Sequence, residues 1–320
     1  MKKLIRISAI ILTVCLILLF IKNQYSWILL QNSTYGMPAL TKRGTIENLY
    51  LGSSMFRQGI DINVLEQNPK SDDYILAYNG NQPVLEYLEL KHLLDHNVRI
   101  QNLYVDMYVY SAWNKPGISD EKMFMELNMI EKWNLWTLTQ SGSFGSDLES
   151  FWRMWVNSNN ELIITWPISS PIINSQFHNG GTLTITSHAS KEALSEIPAT
   201  KIEDDMNPVQ EHYIIELISL AKANDINICF LETPKYKTIA NDPSYLSAMQ
   251  QYAQLLDNEQ VSYILCESSW QSLGSPEHAC YYSFDTGEET CYADPFHLSS
   301  YGRCKFTEAV ITMNTLPNQL

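Results

Sequence analysis

The chain has 320 residues, with 35 aspartates and glutamates against 21 lysines and arginines, and a formal net charge of −14. So acidic a balance excludes nucleic acid as a partner and electrostatic docking on anionic lipid, because both need excess positive charge. The length suits one α/β domain carrying insertions, and no low-complexity tract, heptad array or internal repeat interrupts it.

At the N-terminus, Lys2, Lys3 and Arg6 lead into an apolar run from Ile7 to Ile21. The run is close to the minimum for a spanning helix, about 17–25 residues, and is also compatible with a signal-peptide core of about 7–15. No small-x-small cleavage site follows, since Lys22-Asn23-Gln24-Tyr25 comes next. Val14 before Cys15 is not the small residue of a lipoprotein signal. The expectation is an uncleaved, single-pass signal anchor and transmembrane helix over residues 1–22. Its basic end would stay in the cytoplasm, with the C-terminal domain outside the cell membrane. Residues 23–44 then read as a stem and 45–320 as the extracytoplasmic domain. The sequon Asn32-Ser33-Thr34 adjoins the membrane in this reading and carries little weight.

Strand and helix signals then alternate. Asn48 to Leu51 reads as a first strand, delivering Gly52-Ser53-Ser54 to a loop. Met55 to Leu65 is helical, with a turn at Gly59-Ile60-Asp61. Tyr74 to Tyr78 is a second strand, stopped by Asn79-Gly80-Asn81, and Val84 to His96 has helical spacing. Asn102 to Tyr110 is a third strand. Residues 112–207 read as an insertion that caps the sheet, with helices over Met123 to Trp136 and around Phe151 to Trp155, and a short strand or hairpin at Gly180 to Ile185. Trp113, Trp133, Trp136, Trp152, Trp155 and Trp166 concentrate there, either as packing against the body or as an aromatic platform for a sugar or acyl chain. The rhythm resumes with a helix over Gln210 to Ala223, a strand over Asn227 to Glu232, a helix over Tyr245 to Asp257, a strand over Val261 to Cys266 and a terminal helix over Tyr301 to Thr312. Strand–helix repetition of this kind predicts an α/β fold with a central parallel sheet.

Six cysteines are present. Cys15 lies in the expected anchor, and Cys229 and Cys266 fall in apolar runs that read as core thiols. Cys280, Cys291 and Cys304 cluster where oxidation is permitted; Cys280–Cys291 is the preferred bridge and Cys291–Cys304 competes. No C-x-x-C pair suggests zinc, and no cofactor is expected. His92 and His96 stand four apart on a helix, without a metal-site glutamate motif, and read as a solvated face; His178, His188, His212 and His278 show no partner pattern.

The chemistry gathers at two ends of the domain. Ser54 follows the first strand and opens a helix, where its backbone N–H faces a developing anion. Asn79-Gly80-Asn81 follows the next strand, and Asp294-Pro295-Phe296-His297 precedes the terminal helix. In a parallel α/β sheet these loops converge at the carboxyl edge, which suits nucleophile, base, orienting acid and oxyanion donors. Taken singly, Gly-Ser-Ser is most often a turn and Asp-x-x-His often a helix cap; the joint order is the signal.

On these blocks the chain resembles the SGNH (GDSL-type) hydrolase superfamily. It resembles more closely the membrane-anchored branch that includes the D-alanine transfer protein of lipoteichoic acid synthesis and polysaccharide O-acetylation proteins. The resemblance runs from Asn48 to Thr312 and is least in the insertion. It implies a three-layer α/β/α fold, Ser54 as nucleophile, His297 as base, Asp294 as its orienting acid, and an oxyanion hole drawn from Ser54, Gly80, Asn81 and Asn79. The superfamily's Gly-x-Asn-Asp block is missing after the third strand, which reads Tyr104-Val105-Asp106-Met107-Tyr108, so its asparagine donor is not identifiable; Asn114 is a further candidate. The implied activity is a membrane-anchored serine esterase or acyltransferase on cell-envelope glycan or teichoic acid, with a membrane O-acyltransferase as partner. The alternatives are a partner-independent carbohydrate esterase and a non-catalytic scaffold that kept the fold.

Overall fold

The computed structural model describes residues 6–14, 17, 30, 33–67, 71–118, 120–140, 148–160, 166–195, 202–274, 276 and 278–314. Residues 6–14 are helical; most of the rest of the expected anchor lies outside the described residues. Among the described residues no helix is long and apolar enough to cross a membrane.

A six-stranded parallel sheet organises the rest. Its strands are β1 (Thr45–Gly52), β2 (Asp73–Ala77), β3 (Arg99–Asp106), β4 (Asn227–Leu231), β5 (Ser262–Cys266) and β6 (Ala279–Tyr282). Their order is β2-β1-β3-β4-β5-β6. The chain steps from β1 to β2 on one side and then to β3 on the other, so the strand order reverses between β1 and β3. A crevice opens at the carboxyl ends of strands at such a point. Register places Leu51 beside Val105 and Gly52 beside Ala77.

Alternation within the strands builds two cores. Leu49, Leu51, Leu103, Val105 and Phe230 face one side, where helices α4 (Pro83–Asp95), α9 (Pro208–Ala223) and α11 (Pro243–Asn258) cover them. Tyr50, Tyr104, Leu231 and Ile264 face the other, against α2 (Ser54–Gly59), α3 (Ile62–Leu65) and α13 (Ser300–Asn314). Both faces are buried, as a parallel sheet requires. The covering helices start on local signals. Asn207 caps α9 by accepting from Val209 N at 3.0 Å, and Asp242 caps α11 by accepting from Ser244 N at 2.9 Å, each followed by proline at the first helical position.

Several expectations change. The third strand stops at Asp106, where Tyr108 N turns back to Asp106 O at 2.9 Å and a short helix, α5 (Val109–Trp113), begins. The helix expected over Met123–Trp136 is two, α6 (Glu121–Glu126) and α7 (Met129–Gln140), because Asn128 caps the second by accepting from Ile130 N and Glu131 N. The insertion continues with α8 (Leu148–Asn160), a helix over Trp166–Asn174, and a two-stranded piece pairing Phe177 with Thr182. Trp113 and Trp166 are buried in it, whereas Trp133 and Trp152 are exposed. The edge strand β6 and the helix Glu267–Ser272 before it were not anticipated. His92 is buried rather than solvated, because α7 covers α4 and sets Glu131 Oε1 2.8 Å from His92 Nδ1.

The expected Cys280–Cys291 disulfide is not formed. Cys280 is fixed on β6 opposite Ile264, while Cys291 sits in a 3-10 turn whose carbonyl abuts Gly302 of α13. Different elements hold the two residues, and neither is bridged.

Part of the segment read as a stem is packed into the body. Helix α1 (Met37–Arg43) buries Met37 and Leu40 completely in the larger core. Glu126 of the insertion fixes its start, accepting from Met37 N at 2.8 Å and from the Tyr78 hydroxyl, and pairing with Lys122. Burial pulls the Lys122 ammonium down to about 7. A loose stem would make Leu40→Ala neutral. The packed helix predicts a loss of about 2–5 kcal/mol, read by urea denaturation of the full chain.

Candidate active site

Ser54 is the first residue of α2, directly after β1. Ser53 caps that helix, its Oγ accepting from Met55 N at 3.1 Å. At the first helical position the Ser54 amide has no intrahelical acceptor, so it is available to a ligand.

Asp294 and His297 lie on a turn that folds on itself between Tyr292 and Leu298, which pair across its base. Asp294 Oδ1 accepts from Phe296 N at 2.8 Å and His297 N at 2.9 Å, and Ala293 N donates to His297 O at 2.8 Å. The loop after β4 braces the turn from outside: Tyr236 N donates to Pro295 O at 3.0 Å, and the Tyr292 hydroxyl donates to Lys235 O at 3.1 Å. The imidazole is thereby aimed at the β1 edge.

Three side chains stand in one line. Ser54 Oγ is 2.9 Å from His297 Nε2, and His297 Nδ1 is 2.8 Å from Asp294 Oδ2. Serine and histidine are 243 positions apart in the chain. Burial raises the Asp294 carboxyl, but the His297 ring bond, its charge and the two backbone amides outweigh that and hold the group below the usual carboxylate range. Asp294 is therefore ionised wherever His297 works near neutrality, as an orienting acid must be.

The expected oxyanion donors separate on inspection. Gly80 sits in the turn after β2 with φ 63°, in the left-handed region, and that turn is tied to the Ser54 loop by Tyr78 N donating to Gly52 O at 3.1 Å. Asn81 is buried and its Nδ2 is already committed, to Gly52 O at 3.2 Å and Glu89 Oε2 at 2.9 Å. It is a strut under the loop, not a donor to a ligand. The Asn79 amide donates to Asp120 Oδ2 at 3.0 Å. Asp120 also caps α6 and lies 3.7 Å from Arg57 of α2, so the insertion braces this edge. Asn114 is likewise engaged, donating to Tyr110 O at 2.7 Å. Of the four expected residues, the backbone amides of Ser54 and Gly80 remain as candidates.

Sequence reasoning missed two features. Asp106, at the end of β3, reaches Ser53 across the crevice. Tyr108, Tyr110 and Phe296 form an aromatic wall beside the histidine, with Phe296 edge-on to Tyr110 at 5.0 Å and Tyr110 5.7 Å from Tyr108. Tyr108 and Tyr110 carried an aromatic signal in the sequence, whereas nothing local marked Asp106. Among the described residues no cluster of three or more metal-ligating acids, histidines or cysteines occurs.

No family model matches the chain, and no curated protein is similar to it in sequence. Among solved structures, that of a "putative acylhydrolase" from Bacteroides fragilis is similar over 83% of this chain and 85% of that one, at 10% identity and a TM-score of 0.34. At that score the likeness says nothing of chemistry.

The Asp294 geometry fixes a pH signature. Its folded pKa is depressed, so its stabilising contribution is complete above the unfolded value of about 3.9 and is lost as pH falls through the lower folded value. Asp294→Asn should lower the melting temperature by a constant amount above about pH 5, with the difference from the parent shrinking as pH falls below about 4, as read by melting curves across pH.

Proposed function

We propose that the protein is a serine esterase or O-acyltransferase that works through an acyl-enzyme on Ser54. The observation that carries this is the unbroken line from Ser54 Oγ through His297 to Asp294, with each link at hydrogen-bond length. His297 Nε2 takes the Ser54 proton as Oγ bonds to the carbonyl carbon of an ester. The tetrahedral oxygen is held by the Ser54 and Gly80 amides. The C–O bond of the ester breaks, and His297 returns the proton to the departing alcohol. A second hydroxyl then attacks the acyl-enzyme, giving its proton to His297; the bond between Ser54 Oγ and the acyl carbon breaks, and His297 returns the proton to Ser54 Oγ. Water as that hydroxyl makes the protein an esterase; a sugar or polyol makes it a transferase.

The apolar N-terminal run supports a tether, and the resemblance supports acyl esters of cell-envelope glycan or teichoic acid as substrate, with a membrane O-acyltransferase supplying the acyl group. The aromatic wall of Tyr108, Tyr110 and Phe296 suits an acyl group or sugar face.

A fluorophosphonate tests the chemistry without knowledge of the substrate. Mass spectrometry should place one adduct on Ser54. Ser54→Ala and His297→Ala should reduce labelling by about 10⁴ or more, and Asp294→Asn by about 10²–10⁴. Labelling elsewhere, or none, would turn the reading toward a scaffold that kept the fold.

A further inference from the structure

The Gly52 carbonyl and every polar group of Ser53 are engaged by neighbours. Gly52 O accepts from Tyr78 N at 3.1 Å and from Asn81 Nδ2 at 3.2 Å. Ser53 N donates to Asp106 Oδ2 at 3.3 Å, and the Ser53 hydroxyl donates to the same oxygen. That hydroxyl in turn accepts from Met55 N, which lies on the far side of Ser54. Ser53 O accepts from Arg57 N at 3.1 Å in the first turn of α2. One carboxyl oxygen of β3 thus holds both the backbone and the side chain of the residue that starts the helix bearing Ser54.

The approach is costly, and the fold is built to allow it. Asp106 is only 2% exposed, and its Oδ1 finds no hydrogen-bond partner among the described residues. Burying such a group without full compensation is unfavourable. Gly52 is shaped for it: a Cβ there would come within 2.4 Å of the Asp106 Cβ, closer than atoms tolerate. A residue serving β3 alone could be any apolar side chain, as Leu103 and Val105 are. An acid at the strand's end, opposite a glycine and touching Ser53, serves the serine loop instead.

We infer that Asp106 is a positioning residue for Ser54, acting through Ser53 to fix the first turn of α2 so that Ser54 Oγ meets His297 Nε2. The inference rests on reading Ser54 as the nucleophile. Reacting groups must be held within about 0.5 Å of their working geometry, and displacement of about 1 Å can cost about 10²-fold in rate. Without Asp106, the Ser53 hydroxyl is free to turn from Met55 N, and the first turn of a six-residue helix loses its cap. Asn at 106 keeps one acceptor oxygen in the same place; Ala does not.

The test is the second-order rate of fluorophosphonate labelling at Ser54 in the full chain, with melting temperature measured on the same samples. Asp106→Ala should label about 10–100-fold more slowly at temperatures well below its melting point, and Asp106→Asn should recover to within about 3-fold of the parent. Ser53→Ala should lose about 10-fold, and the double variant Ser53→Ala/Asp106→Ala should be no slower than the slower single, since both act through one link. A parental rate in Asp106→Ala overturns the inference, as does a double variant whose losses multiply. Should Asp106→Ala not fold, Ser53→Ala decides: a parental rate there overturns it. Absence of labelling in the parent removes the Ser54 reading and the inference with it. Labelling of the parent with Asp106 indifferent removes the inference alone.

Discussion

The close approach of β1 and β3 at their carboxyl ends is the constraint on which the site depends. Gly52 has no side chain, so the Asp106 Cβ occupies the space a Cβ would need and its carboxyl touches Ser53. The register that sets Leu51 beside Val105 brings these two positions together, and it is fixed by burial on both faces. A one-residue slip would send Tyr50 into the larger core and carry Ser54 away from His297. The hydrophobic pattern of the strands therefore decides where the polar chemistry occurs.

Around that approach, three connections converge from different parts of the chain. The turn after β2 reaches the Ser54 loop through Tyr78 and Asn81. The insertion reaches that turn through Asp120 and reaches α1 through Glu126. The loop after β4 reaches the Asp294–His297 turn through Lys235 and Tyr236. Buried Lys235 also offsets some of the burial cost of Asp106, so the two halves of the site share a charge as well as a scaffold. The insertion, which has the least regular sequence, is thus attached at the active edge and at the packed start of the domain.

Legibility from sequence followed the range of the signal. Gly52-Ser53-Ser54 and Asp294-Pro295-Phe296-His297 stood out because each ends or precedes an element with strong local periodicity. The helices over Pro83–Asp95, Pro208–Ala223 and Pro243–Asn258 stood out for the same reason, by helical spacing, although their exact starts at proline were read one or two residues late. Asp106 did not, because in sequence it is one acid within an apolar run, and only pairing with β1 gives it a target. Asn81 read as an oxyanion donor because its place in the chain was right. Its side chain turns inward to Glu89, which composition cannot reveal. The strand Ala279–Tyr282 was hidden by its shortness and its edge position, and the helix Met37–Arg43 by its place beside an apolar run that dominated the reading.

The floor of the site sets a further balance. Glu86 and Glu89 on α4 and Asp106 on β3 are buried near one another, and burial drives each carboxyl above its usual range. The unfolded chain releases such protons near about 4.3 for glutamate and 3.9 for aspartate, while the folded chain holds them to higher pH. Across that interval unfolding releases protons, so stability contributed by these groups falls as pH rises. Asp294 has the opposite sign, since its depressed folded value makes stability fall as pH drops. The half-buried Asp294 and the buried acids beneath the serine loop therefore oppose one another. Asp106 and Glu89 accept hydrogen bonds from Ser53 and Asn81, and their upward shifts lessen the negative charge buried beneath the serine loop. A floor of fully ionised carboxylates would repel any negative charge that develops beside Ser54.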